Sequence, residues 1–108
     1  MNEGAAPFDV RTEERADHVR LVVTGELDFY REPDLRGALE ALLAQSPPQR
    51  LVLDIGGLQF LDSAGLRVLL VCRDRCRSAD VPFRLAVAPG PVTRLLDLAG
   101  VRSWFSYE

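Results

Sequence analysis

The sequence contains no lysine, one histidine and two cysteines, and each shortage closes a route to chemistry. A phosphate-binding loop sets a lysine beside its glycines, so Gly56-Gly57-Leu58 matches neither that loop nor the dinucleotide fingerprint, and the two glycines read as turn residues. His18 has no serine or cysteine at a spacing that suggests a nucleophile with its base, and reads as a polar residue at a strand end. Cys72 and Cys76 fall four apart on one face of a predicted helix, with no companion ligands. Zinc would lack donors there and a disulfide along one helical turn would be strained, so two buried free thiols are expected, with no support for a redox switch. No metal, no cofactor and no enzymatic activity are expected.

Long apolar runs are also missing, so no stretch is suited to span a membrane. Met1 to Pro7 has neither the basic start nor the apolar stretch of a signal peptide, and the cytoplasm is the expected location. Sixteen acidic residues against thirteen basic ones leave a net charge of -3, which works against binding a phosphate backbone. Arg67, Arg73, Arg75 and Arg77 are the nearest thing to a basic stripe. Asp74 and Asp80 interrupt them and no aromatics interleave, so they read as a solvated helix face and not as a nucleic-acid contact.

What is present is the make-up of one globular domain. With 108 residues, 47% of them hydrophobic and 27% charged, disorder is excluded and one core suffices. Such a chain buries roughly two-thirds of its unfolded surface. A single domain over 1–108 is expected, with 1–7 as a flexible N-terminus. Phe8 to Thr12 and His18 to Val23 predict two strands joined by a turn. Pro33 opens a helix on which Leu35, Ala38, Leu39, Leu42 and Leu43 form one apolar stripe, until Pro47 and Pro48 stop it. Leu51, Val52, Leu53 and Ile55 predict a central strand covered on both faces. Gly56 and Gly57 break that run, a short apolar stretch Leu58 to Leu61 follows, and a helix begins at Asp62 and Ser63 and continues to about Ser78.

Pro82 to Ala88 predicts another strand. Pro89-Gly90-Pro91 feeds a helix from Val92 to Leu98 with Gly100 as its left-handed stop, and Val101 to Tyr107 suits a short edge strand. The order β-β-α-β-α-β-α predicts an α/β fold, a mixed sheet of four to five strands with helices packed on it and right-handed crossovers. On the central helix Leu66, Val68, Leu69, Leu70, Val71, Cys72 and Cys76 span more than one buried face. Either neighbouring helices enclose it or part of it meets a partner.

The junction Phe60-Leu61-Asp62-Ser63-Ala64-Gly65-Leu66 carries the remaining chemistry. Asp62 or Ser63 can cap the helix start; Ser63 reads by default as a cap, and that reading is compatible with an accessible hydroxyl. A phosphate there would add about -1.5 to -2 charges at the positive end of a helix dipole, which the fold tolerates.

This junction resembles the STAS family, the sulfate-transporter and anti-sigma-factor-antagonist domains, and more closely its free-standing bacterial anti-sigma-factor antagonists. Four motifs carry the resemblance in order: Gly25-Glu26-Leu27-Asp28, Leu51-Val52-Leu53-Asp54, Asp62-Ser63-Ala64-Gly65-Leu66, and Pro91-Val92-Thr93-Arg94-Leu95-Leu96-Asp97-Leu98-Ala99-Gly100. It runs from about Val10 to Phe105. The resemblance implies that a serine kinase, itself the anti-sigma factor, phosphorylates Ser63 with ATP. The unphosphorylated form binds that kinase and frees a sigma factor, and a metal-dependent serine phosphatase resets the cycle. Partner binding would fall on Asp28, Asp62, Ala64, Gly65, Leu66 and Arg67.

The sequence departs from that pattern in places. Ala64 replaces a second hydroxyl, so Ser63 is the sole local acceptor, and Arg67 stands where many relatives have glycine. Arg31 replaces a capping threonine, so a frayed start of the first helix is expected. The further C-terminal helix of many relatives is not predicted through Glu108. The competing reading is a STAS regulatory subunit of a membrane lipid or anion transport assembly, with no phosphorylated serine.

Overall fold

The strands are built from β-branched and leucine-rich runs, and the helices from stripes that cover one face of the resulting sheet. The computed structural model describes residues 7–108, in the order β1 (Asp9–Glu14), β2 (Val19–Leu27), α1 (Glu32–Gln45), β3 (Leu51–Leu61), α2 (Ser63–Ser78), β4 (Phe83–Ala86), α3 (Pro91–Leu98), and a 3-10 turn at Arg102–Trp104. The sheet order is β1-β2-β3-β4. β1 pairs antiparallel with β2, while β2, β3 and β4 run parallel, as the alternation of strands with helices predicts. The expected flexible stretch 1–7 lies outside the described residues except for Pro7.

Leu21 and Val23 of β2, Leu51, Leu53 and Ile55 of β3 and Leu85 of β4 point to one face and join Leu35, Leu39 and Leu43 of α1 and Val68, Leu69, Cys72 and Cys76 of α2 in a single core. The broad apolar arc of α2 is explained by enclosure. Leu66 and Leu70 pack against the core from its flanks, and Arg75 makes a two-pronged ion pair to Glu40 of α1 at 2.6 and 2.8 Å. On the opposite face Val52 is also fully buried, flanked by Arg20 and Arg84 in register on the neighbouring strands. Arg20 is held there by Asp54 at 2.9 Å and by Glu108 at 2.7 Å, and its stem adds apolar cover.

Three sequence expectations change. Gly56 and Gly57 do not break the strand: β3 runs through them, and its eleven residues face nine of β2. The register shifts at two places, between Val22 and Thr24 and between Gly25 and Glu26, so the extra residues are absorbed as bulges. Gly57 fits because a side chain there would come within 2.8 Å of the Thr24 methyl. Second, Val101 to Tyr107 is not a strand throughout. Val101 and Phe105 are both buried, and their spacing of four residues is met by a helical turn. Only the last residues extend along β4, where the Leu85 amide donates to Ser106 O at 2.8 Å and the Glu108 amide to Leu85 O at 3.1 Å.

Third, the start of α1 is held despite Arg31, which makes no side-chain cap. The Asp28 carboxylate accepts from the amides of Tyr30 and Arg31, both at 3.0 Å, and its carbonyl accepts from Arg31 and Glu32. α3 ends as expected, with Gly100 at a φ of 73°.

Cys72 and Cys76 are free and fully buried. Burial pushes the Cys72 thiol up to about 12 and the Cys76 thiol to about 11. In the folded state both keep their protons at a pH where the unfolded chain, at its ordinary 9.0, loses them. Stability therefore falls as pH rises above that value, by about 1.4 kcal/mol per pH unit for each thiol until the folded state also ionises. Urea unfolding across this range is expected to show that slope, and Cys72→Ala with Cys76→Ala to flatten it. At neutral pH, Ellman's reagent is expected to react with neither thiol until the protein unfolds.

Candidate functional site

At the carboxyl ends of β2 and β3 the chain brings two loops together. β3 ends at Leu61, Asp62 takes an extended conformation, and α2 begins at Ser63. The Asp62 amide donates to Leu27 O at 3.3 Å, which ties the end of β3 to the end of β2. One carboxylate oxygen of Asp62 accepts from the Gly65 amide at 2.8 Å and caps α2; the other accepts from the Phe29 amide at 3.2 Å in the β2–α1 loop. A single side chain thus fixes both loops. The cap expected of Asp62 or Ser63 is Asp62, and Ser63 is the first helical residue.

That assignment frees the Ser63 hydroxyl. Ser63 is exposed and makes no side-chain hydrogen bond to the described residues. Ala64 is half-buried beside it, Leu66 leans against the core and Arg67 is exposed one turn further on. Gly65 is buried. A side chain there would meet Leu27 O at 2.4 Å and a Leu61 methyl at 2.7 Å, so glycine is what lets the first turn of α2 touch the end of β2. Asp28 is half-buried, and the structure brings its loop beside Asp62 through the Phe29 amide.

Two residues of this surface escaped the sequence reading. Phe29 and Tyr30 are 67% and 80% exposed and stack edge to face, 5.6 Å between ring centres and 82° between planes. They belong to no apolar stripe. An adjacent aromatic pair between Asp28 and the start of a helix was the available signal. On the other side of the junction Phe60 is 48% exposed and borders a cleft of about 170 Å³ lined by Leu61, Pro91, Val92 and Leu95. A larger cleft, between Arg73, Arg77 and Trp104, lies toward the far end of α2, away from Ser63. Among the described residues no group of three or more His, Cys, Asp or Glu is placed to hold a metal ion. No helix among them is long and apolar enough to cross a membrane.

This geometry, an α/β sheet presenting an Asp-Ser junction at a helix start, is that of a STAS domain. The chain belongs to the STAS domain family, whose profile matches residues 9–107. The anti-sigma F factor antagonist of Paenibacillus polymyxa is 29% identical over 79 residues, covering 73% of this chain and 68% of the relative. The crystal structure of an anti-sigma factor antagonist from Mycobacterium paratuberculosis superposes with a TM-score of 0.81 at 26% identity, covering 94% of this chain and 86% of that one. The Bacillus cell fate determinant SpoIIAA, solved in its phosphorylated form, shares the fold with a TM-score of 0.67 at 19% identity, covering 94% of this chain and 91% of its own.

Substitutions here separate support from surface. Gly65→Ala is expected to destabilise the protein by about 2 to 3 kcal/mol, since a backbone carbonyl cannot give way. Asp62→Ala costs about 1 to 2 kcal/mol through the lost cap. Ser63→Ala stays within about 0.5 kcal/mol of the parent. Thermal denaturation of the three variants checks the order.

Proposed function

We propose that this protein is an anti-sigma-factor antagonist that binds an anti-sigma serine kinase while Ser63 is unmodified and is released when Ser63 is phosphorylated. The observation that carries the reading is the free hydroxyl of Ser63 at the start of α2, beside an exposed aromatic pair. The antagonists among its relatives support it.

The surface suits docking. Phe29 and Tyr30 supply rigid apolar area at small entropic cost, of the kind that dominates binding energy at interfaces. Asp28, Ala64, Leu66 and Arg67 complete the contact, and Asp62 and Gly65 hold it in shape. On phosphorylation the Ser63 oxygen bonds to the γ-phosphorus of ATP, the bond from that phosphorus to the β-phosphate oxygen breaks, and ADP leaves. The hydroxyl proton passes to a base on the kinase. A serine phosphatase restores the hydroxyl with water and releases inorganic phosphate.

A dianion beside the Asp62 carboxylate, pressed against a partner shaped for a neutral hydroxyl, costs several kcal/mol in like-charge contact and lost hydration. At about 1.4 kcal/mol per tenfold, affinity falls on the order of a hundredfold to a thousandfold without refolding.

The test uses an anti-sigma kinase from the same cell. With ATP it is expected to add one phosphate to the protein by mass spectrometry and none to Ser63→Ala, which still captures the kinase. Phe29→Ala combined with Tyr30→Ala is expected to weaken capture at least about tenfold while leaving the fold intact. Equal capture of the phosphorylated and unphosphorylated forms would overturn the proposal.

A further inference from the structure

Of the four arginines of α2, Arg73 pairs with Asp74 and Arg75 with Glu40, whereas Arg67 and Arg77 are exposed and have no acidic side chain within ion-pairing distance among the described residues. Arg77 lies in the last turn, far from Ser63, which leaves Arg67 as the unpaired arginine near the helix start. Arg67 lies four positions after Ser63, which is also exposed, so the two share one face of the helix. Long side chains on a helix lean back over the preceding turn, and the turn before Arg67 is the one that carries Ser63. Around the hydroxyl the local charges are otherwise unbalanced. Asp62 is the adjacent carboxylate, and the first turn of α2 contains no other charged side chain.

We infer that Arg67 is the internal counter-ion of phosphorylated Ser63. Resting on the reading of Ser63 as a phosphorylation site, this adds a regulatory consequence specific to the sequence. The guanidinium holds the phosphate against the domain's own helix, offsets the repulsion from Asp62 and stabilises the dianion. The modified form is thereby a settled state of the protein. Its phosphate is less available to a hydrolysing enzyme, which lengthens the released phase of the cycle. In the unmodified protein Arg67 has no such partner and is open to contact the kinase.

The experiment installs phosphoserine at position 63 during translation, by stop-codon suppression, in the parent, Arg67→Gln and Arg67→Lys. Phosphorus NMR titration reads the second ionisation of the phosphate directly. That ionisation is expected about 0.4 unit lower in the parent than in Arg67→Gln, with Arg67→Lys between them and the difference lost in 1 M salt. A nonspecific alkaline phosphatase is expected to release phosphate about twofold to threefold faster from phosphorylated Arg67→Gln than from the phosphorylated parent, after both are normalised to a phosphoserine peptide. The unphosphorylated parent and Arg67→Gln should melt at the same temperature, which separates the ion pair from any general effect on the fold. Identical titration curves for the parent and Arg67→Gln would overturn the inference and show that the helix start alone carries the phosphate. No kinase enters this experiment, so its failure leaves the kinase-binding proposal standing. Conversely, a kinase that ignores Ser63 leaves this pair measurable.

Discussion

The site depends on one close approach, that of the first turn of α2 to the end of β2. Gly65 sits where any side chain would strike Leu27 O, and Asp62 spans the gap by accepting from the amides of Phe29 and Gly65 at once. The contact is short-range and directional, so it positions both loops to within a hydrogen bond. Because Asp62 does the capping, the neighbouring serine is spared that duty, and a residue type that would ordinarily close a helix end is left open to solvent. Packing, capping and exposure are consequences of the same few atoms.

The core beneath is what keeps that approach in place. α1 and α2 lie side by side on the sheet, joined by the Arg75–Glu40 pair and by leucines that are fully buried on both helices. The bulges in β3 do the rest. The first bulge turns Leu58 inward in place of Gly57, and the second returns the alternation so that Leu61 is buried and Phe60 exposed, two residues further along relative to β2. A regular strand would deliver Asp62 in a different register to Leu27.

Much of this was legible from the residues. The apolar stripe of α1, the run Leu51 to Ile55 and the stop at Gly100 are periodic or chemical signals, and the element order followed from them. The motif around Ser63 was legible as a junction. What was hidden depended on contacts between distant segments. Gly56 and Gly57 look like a turn unless Thr24 is known to lie beside them, and Arg31 looks like a poor helix start unless Asp28 is seen to fold back over it. Val101 to Tyr107 has the composition of a strand, but the need to bury both Val101 and Phe105 curls it. Phe29 and Tyr30 were passed over because two exposed aromatics in a loop obey no period.

The margins of the sheet bear on how a partner can attach. On one side β4 is sealed by Ser106 and Glu108, which take up the backbone groups of Leu85. On the other, β1 alternates Asp9, Arg11 and Glu13 along a largely exposed ribbon and closes with Glu14. A foreign strand trying to extend the sheet would meet occupied hydrogen bonds at one rim and a row of mixed charge at the other. Neither rim invites growth into a larger ribbon or fibre, so a partner of the proposed kind would have to read side-chain shape and charge at the loop-and-helix end instead of zipping onto the backbone.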